Sequence, residues 1–343
     1  MTEKPSFQPT APSSARDYVE GVLSGNRTML GRTITLIESN APRHAPVAEE
    51  VVRQLLPHAG KSIRVGITGV PGVGKSTLIE SLGCLLCKRG KRVAVLAVDP
   101  SSTLSRGSIL GDKTRMEMLS REPNCFIRPS PSSGTLGGVT RKSRETILLC
   151  EAAGYDVVLV ETVGVGQSEI TVRSMVDFFL VLLLAGAGDE LQGIKKGIIE
   201  LADALLITKA DGSNKARTEA TRVEFSRVLH YLTSPTPGWH PEVLTCSSLE
   251  GTGIAEAWEV IERFRQSAEK SGFFSEHRRI QTLDWIRDML ESELWSNFIQ
   301  DPTIVARWPQ VEQAVLNGNL SATGAVKQLI NIYNTQTSHD SEN

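Results

Sequence analysis

The sequence predicts an α/β fold: a mostly parallel, doubly wound sheet with helices on both faces. Three observations carry that prediction. Seven short apolar runs, at 63–68, 92–98, 125–128, 157–160, 178–184, 204–208 and 243–246, alternate with helical runs. They are continuously apolar, as strands buried on both faces of a parallel sheet must be. A glycine-rich turn, Gly69-Val70-Pro71-Gly72-Val73-Gly74-Lys75-Ser76-Thr77, separates the first run from a helical run at 78–88, and polar segments follow later runs. Ligands of such sheets bind beyond the carboxyl ends of the strands.

The bulk figures narrow the field. With 343 residues, 40% hydrophobic and 22% charged, the chain can bury one large core with additions. A formal charge of −2 argues against a broad basic surface, so nucleic acid is not an expected partner. The best membrane-span candidate, 178–187, is strand-sized, far short of the ~20 residues a span needs, so no membrane association is expected. The five cysteines are odd in number and lie in apolar runs or at element ends, so a reducing cytoplasm is expected. Cys84 and Cys87 have CxxC spacing, but inside a helical run among leucines, where buried packing is the expectation.

Taken in order, residues 1–14 are rich in Pro, Ser and Thr and read as a flexible tail. Residues 15–60 form an N-terminal helical extension, with helices over 15–24, 28–38 and 45–56 punctuated by Pro42 and Pro57. Residues 61–271 hold the alternating domain. Residues 272–334 are a helical arm in which Ile280, Leu283, Ile286, Leu290, Leu294 and Phe298 make one apolar stripe, widened by Trp285 and Trp295. The stripe suits packing on the chain's own domain or a homodimer, and spacing leaves both open. Pro302 and Gly318 break the arm before two short helices ending near Tyr333; 335–343 read as a polar tail.

The turn at 69–77 has the strand and helix flanks of a Walker A phosphate loop. Gly72 and Gly74 permit the tight turn whose N–H groups converge on phosphate oxygens. The positive end of the next helix favours the anion. Lys75 would reach the β- and γ-phosphates and the Ser76 hydroxyl would bind Mg2+. After the fourth run, Glu161 precedes Gly164 by three residues, the pattern of a Walker B acid joined to a γ-phosphate-sensing turn. Asp99 and Asp112 flank the loop after the second run, each readable as a site acid or as turn chemistry.

Base selection is read after the sixth run, in Thr208-Lys209-Ala210-Asp211. The Asp211 carboxylate can accept both hydrogen bonds from the N1–H and N2–H2 edge of guanine. Adenine lacks that donor pair and would leave a buried acid unpaired. The Lys209 stem could lie over the base. A backbone N–H within Cys246-Ser247-Ser248-Leu249-Glu250-Gly251 could meet the guanine O6. Together these motifs describe a domain for GTP and GDP.

Residues 69–77, Val98-Asp99-Pro100-Ser101-Ser102, Gly111-Asp112-Lys113-Thr114-Arg115-Met116 and the segment 161–169 resemble the methylmalonyl-CoA mutase-associated GTPases. These are the MeaB-type proteins, long described as lysine/arginine/ornithine transport system kinases. The segment 186–197, around Gln192, matches as well, and the similarity runs from about residue 17 to 333. The resemblance implies a SIMIBI-class P-loop GTPase, dimeric through a C-terminal arm. Such a protein gates adenosylcobalamin loading onto an acyl-CoA mutase and protects that mutase. Carried over, Ser76, Asp99, Asp112 and Glu161 become the Mg2+ shell; Lys209, Asp211, Ser247, Ser248 and Leu249 become the guanine site; 189–196 becomes a third switch. Two departures stand out: Thr208 replaces Asn, at the cost of an amide that often braces the phosphate loop, and Ser248 stands where Ala is frequent. Asp211 keeps base selection, so guanine preference is expected to survive.

Lys75, Asp112, Glu161, Gln167 and Lys195 are the catalytic candidates. Directly after Gly164, where a water-positioning Gln would serve, stands Val165; Gln167 comes three residues after Gly164. A slow isolated GTPase, accelerated when a partner orders the switches, is the expectation. Lys113, Arg115 and Lys195 are candidate helpers or merely solvated charges. The basic, glycine-containing stretch 129–144 suits contact with substrate or partner, or a plain connection. Competing functions are a nucleotide-dependent kinase of a basic amino-acid transport system and a metal-inserting GTPase. Asp211 speaks against ATP, and the six histidines are scattered rather than clustered.

Overall fold

Strands form at all seven apolar runs: β1 (Ile63–Gly69), β2 (Val93–Val98), β3 (Cys125–Arg128), β4 (Val157–Thr162), β5 (Phe178–Leu184), β6 (Ala204–Thr208) and β7 (Glu242–Thr245). The chain is known here from a computed structural model that describes residues 14–98, 116–129, 136–162, 167–186 and 196–340; the side chains of 136–140, 167–168, 196 and 336–340 lie outside that description. All seven strands are parallel, in the order β3-β2-β4-β1-β5-β6-β7. β1 lies at the centre, with β4 on one side and β5 on the other, so the chain reverses its winding beside the strand that feeds the phosphate loop.

Pleat alternation explains why each strand is apolar throughout. Phe178, Leu180 and Leu182 of β5 enter one core with Ile63, Val65 and Ile67 of β1. Over them pack α4 (Lys75–Lys88), α5 (Glu117–Arg121) and α10 (Ile254–Lys270), through Leu78, Leu82, Leu119, Trp258 and Phe264 among others. Phe179, Val181 and Leu183 enter the opposite core with Val158 and Val160 of β4. That face is covered by α6 (Leu136–Ala152), α7 (Gln167–Arg173), α8 (Lys196–Glu200) and α9 (Lys215–His230).

The N-terminal extension belongs to this second core. Helices α1 (Ala15–Leu23), α2 (Arg27–Glu38) and α3 (Ala45–Leu55) bury Val22, Leu30, Ile34, Val51 and Leu55 in it. Ser14 and Asp17 form a reciprocal capping box that starts α1, and the Asn26 side chain caps α2. Cys87 sits in the first core with Cys84 packed against it; burial pushes the Cys87 thiol up to about 11, as a packing residue's would be.

Two compact units divide at Gln281 and Thr282, ten residues later than the boundary read from the sequence. The reason is physical. Helix α11 (Phe273–Gln300) starts near the expected boundary, but its first turns are tied into the first unit. Arg278 donates to Asp177 at 2.6 and 2.7 Å and to the carbonyls of Gly60 and Ser62. In the second unit, α12 (Pro302–Leu316) and α13 (Ala322–Asp340) pack around Ile304, Val311, Ala325 and Leu329. α13 runs to Asp340, so residues 335–340, read as a polar tail, are helical. A polar composition does not stop a helix whose start is already nucleated by packing. No helix among the described residues is long and apolar enough to cross a membrane.

Candidate functional site

The phosphate loop is set by backbone geometry before any side chain acts. Gly69 closes β1 with φ of 149°, and a Cβ there would lie 2.7 Å from the Leu182 carbonyl oxygen. Gly74 has φ of 103° and starts α4. Both conformations favour glycine. The loop between them is anchored from three sides. Thr68 and Thr162 hydroxyls meet at 2.8 Å across β1 and β4. Val73 N donates to Val70 O at 3.2 Å. The Thr208 hydroxyl, buried at the end of β6, donates to the Val73 carbonyl at 2.6 Å and lies 3.3 Å from the Leu183 carbonyl. The brace thought lost with the missing Asn amide is therefore supplied by the hydroxyl: β6 runs close enough to the loop for a short side chain to span the gap.

Lys75 lies 8% exposed under this loop, its ammonium donating to Gly69 O at 2.8 Å and Val70 O at 3.3 Å. Burial lowers its pKa, opposed by the carboxylates of Glu161 and Glu169. The Ser76 hydroxyl donates to Glu161 Oε1 at 2.9 Å, so the loop serine and the strand-end acid meet as the sequence suggested. Glu161 is the fifth residue of β4 and not beyond it, which leaves its carboxyl half-buried beside the loop. Glu169, on α7, is 3% exposed. Its proximity to Lys75 went unread in the sequence, where only an acid two positions after Gln167 on a helical run hinted at it.

The residues expected to read the base come together at the ends of β6 and β7. Lys209 has φ of 58°, the sole non-glycine residue with positive φ among those described, and its carbonyl accepts from Asn214 Nδ2 at 2.8 Å. Such a conformation costs ~1–3 kcal/mol and persists only where its surroundings hold it. Here it turns Asp211 toward β7. Ser247, fully buried, donates its hydroxyl to Asp211 Oδ2 at 2.7 Å, and Ala210 N donates to Cys246 O. A backbone bridge between Ser247 and Thr252 closes the loop that carries Ser248 and the exposed Leu249. Lys215 pairs with Glu250 at 2.9 Å at its rim. Ser247 thus orients the Asp211 carboxylate, a role sequence reasoning did not assign.

Pro71 and Gly72 in the loop and Thr77 in the first turn of α4 are exposed. Asp99, Asp112, Lys113, Arg115, Gly164, Val165 and Lys195, and the 189–195 part of the third switch, lie outside the described residues. Gln167 opens α7, with its side chain outside the description. Of the basic stretch before residue 145, Arg141 pairs with Glu145 and Lys142 donates to Asn40 at 2.6 Å. Arg144 is buried and donates to Ser174 and Gln281, so these three serve the fold.

The chain is similar to known proteins over most of its length. The family model described as methylmalonyl Co-A mutase-associated GTPase MeaB matches residues 30–303. A protein of Mycobacterium tuberculosis (strain ATCC 25618 / H37Rv), described as a probable GTPase, is 50% identical over 332 residues, 94% of this chain and 98% of the relative. The methylmalonic aciduria type A homolog, mitochondrial, of Mus musculus is 43% identical over 326 residues, covering 92% of this chain and 79% of that one. A solved structure described as a LAO/AO transport system kinase superposes with a TM-score of 0.77 at 38% identity, covering 95% of this chain and all of that one.

Proposed function

The chain belongs to the family of methylmalonyl Co-A mutase-associated GTPases, MeaB, and from that premise we propose that it is a GTP-hydrolysing chaperone of an adenosylcobalamin-dependent acyl-CoA mutase. It is a guanine-nucleotide-binding GTPase; the proposal concerns what the switch is for. It would gate cofactor loading onto methylmalonyl-CoA mutase or a close relative, and protect the loaded enzyme. The observation that carries the reading is the match of residues 30–303 to a family named for mutase association.

Hydrolysis by in-line water attack needs positioning and charge neutralisation more than covalent chemistry. Lys75 is held by the Gly69 and Val70 carbonyls in the loop where phosphate would sit, so it meets the anion with little rearrangement. Mg2+ fits the donor set, since Ser76 and Glu161 offer hard oxygen ligands side by side. Asp99 and Asp112 would complete the shell, and the ion would neutralise developing phosphate charge. Gln167 remains the candidate for ordering the attacking water, with Lys113, Arg115 and Lys195 as candidate helpers. Val165 beside Gly164 supports slow turnover until a partner orders the switches.

The remaining parts of the reading follow the same family logic. Leu283, Ile286, Leu290 and Leu294 are all exposed on α11, which supports a homodimer face. A cytoplasmic site of action suits the five thiols, all free. The kinase reading, suggested by the name of the solved structure, predicts ATP as donor, and the Asp211–Ser247 pair suits the guanine edge instead.

Affinity capture from the source cell tests the proposal. The tagged chain, loaded with a non-hydrolysable GTP analogue or with GDP, is expected to retain an adenosylcobalamin-dependent acyl-CoA mutase in a nucleotide-dependent manner. Equal recovery with an empty resin would overturn it.

A further inference from the structure

The last two residues of β4 face opposite sides of the sheet. Glu161 shares its face with Leu159 of the first core, and Thr162 shares its face with Val160 of the second. Because β1 pairs with β4 in the register Ile67 to Glu161, Thr68 stands directly beside Thr162. Their hydroxyls meet at 2.8 Å, and both residues are 1% exposed. On the other face the Ser76 hydroxyl of α4 donates to Glu161 Oε1 at 2.9 Å. The end of β4 is therefore held to the phosphate loop from both sides of the sheet.

The two hydroxyls stand apart from the rest of their strands. Val158 and Val160 precede Thr162 on its face, and valine has nearly the shape of threonine. A buried hydroxyl costs desolvation unless it is hydrogen-bonded, and here each meets the other. Replacing both partners of such a bond by apolar groups of the same shape is often neutral or stabilising. Sheet stability alone therefore does not call for hydroxyls here. What distinguishes the two positions is their neighbours in sequence. Thr68 precedes Gly69, whose carbonyl accepts from Lys75 Nζ at 2.8 Å, and Thr162 follows Glu161. A directional bond between them fixes the spacing of the two segments, where apolar contact would tolerate sliding.

We propose that Thr68 and Thr162 are a positioning pair for the Mg2+ site: their bond keeps the end of β4 level with the loop, so that Glu161 stays beside Ser76. The inference rests on the reading of Ser76 and Glu161 as ligands of the ion, and not on which mutase the chain serves. Both threonines act through Glu161 from the far face of the sheet, as the outer partners of a metal site do.

Titrating Mg2+ into the full chain loaded with a fluorescent GDP analogue tests it. Thr162→Val is expected to weaken Mg2+ binding ~10-fold, with GDP affinity in EDTA within ~3-fold of wild type. Thr68→Val carries the same expectation and decides the matter if Thr162→Val fails to fold. The double valine variant should lose no more than ~2-fold beyond either single one, because all three remove one shared bond. Thr162→Ser, which keeps the hydroxyl, should hold the Mg2+ midpoint within ~3-fold of wild type. A merely structural role would lower GDP affinity equally with and without Mg2+ and leave the midpoint in place. An unmoved midpoint in a folded valine variant, or losses that add in the double variant, overturns the pair. Glu161→Gln separates this from the underlying reading. If it leaves the midpoint unchanged, the assignment of Glu161 as a ligand falls and the pair's role with it. A midpoint that moves in Glu161→Gln but not in the valine variants overturns the pair alone.

Discussion

As the proposed base-selecting acid, Asp211 has an environment that makes the consequence of changing it specific. Its carboxylate is fixed by the Ser247 hydroxyl at 2.7 Å, so Asp211→Asn keeps the shape but turns one acceptor into a donor. GTP affinity should fall at least ~100-fold, the cost of mispairing a buried polar group. Xanthosine triphosphate, which carries a carbonyl where guanine has its amine, should bind better than GTP; fluorescent-nucleotide titration reads both. Asp211 was legible because an acid at a fixed offset past a strand end has few other uses in a parallel sheet. Thr208 was not, since its value depends on how near β6 passes to Val73, a distance no spacing encodes. Thr208→Val would leave the Val73 carbonyl without its 2.6 Å donor. The expected loss is ~1–2 kcal/mol of stability in urea unfolding, with weaker GDP binding; an unchanged midpoint would contradict the brace.

The elements were legible in the sequence where burial is two-sided and illegible where contacts are polar and distant. All seven strands lie within two residues of the apolar runs. The root of α11 is different, because it is fixed by an ion network drawn from separate stretches of the chain. Arg64 donates to both oxygens of Glu151 at 2.9 and 2.7 Å, and Ser62 Oγ and Arg278 complete the shell. Burial pushes the Glu151 carboxyl up, but the Arg64 hydrogen bonds, with the Arg64 and Arg278 charges and the Ser62 hydroxyl, prevail and hold it below its ordinary 4.5. A lowered folded pKa contributes stability above the unfolded value and loses it as pH falls through the folded one. Wild type should therefore exceed Glu151→Gln by ~3 kcal/mol at pH 7, and the gap should narrow below about pH 4.5. A constant gap in acid unfolding would contradict the assignment. On α11 the apolar stripe was legible, and Leu290, 57% exposed, marks its middle. Leu290→Asp should convert the proposed dimer to monomer in light scattering, with GTP turnover by the isolated chain unchanged.

At the scale of the molecule, the strand order explains why motifs scattered over the sequence meet. β1, β4, β6 and β7 deliver the phosphate loop, Glu161, Asp211 and Ser247 to the same carboxyl edge of one sheet. The sheet was thus readable from the apolar runs, whereas the 335–340 helix depends on packing that composition does not record. The proposed function is a switch that waits for its client. It is tested most directly by GTP turnover with and without methylmalonyl-CoA mutase from the same cell. A rise of at least ~10-fold is expected on adding the mutase, modest beside the acceleration partner proteins give other GTPases; equal turnover in its presence and absence would contradict the proposed role.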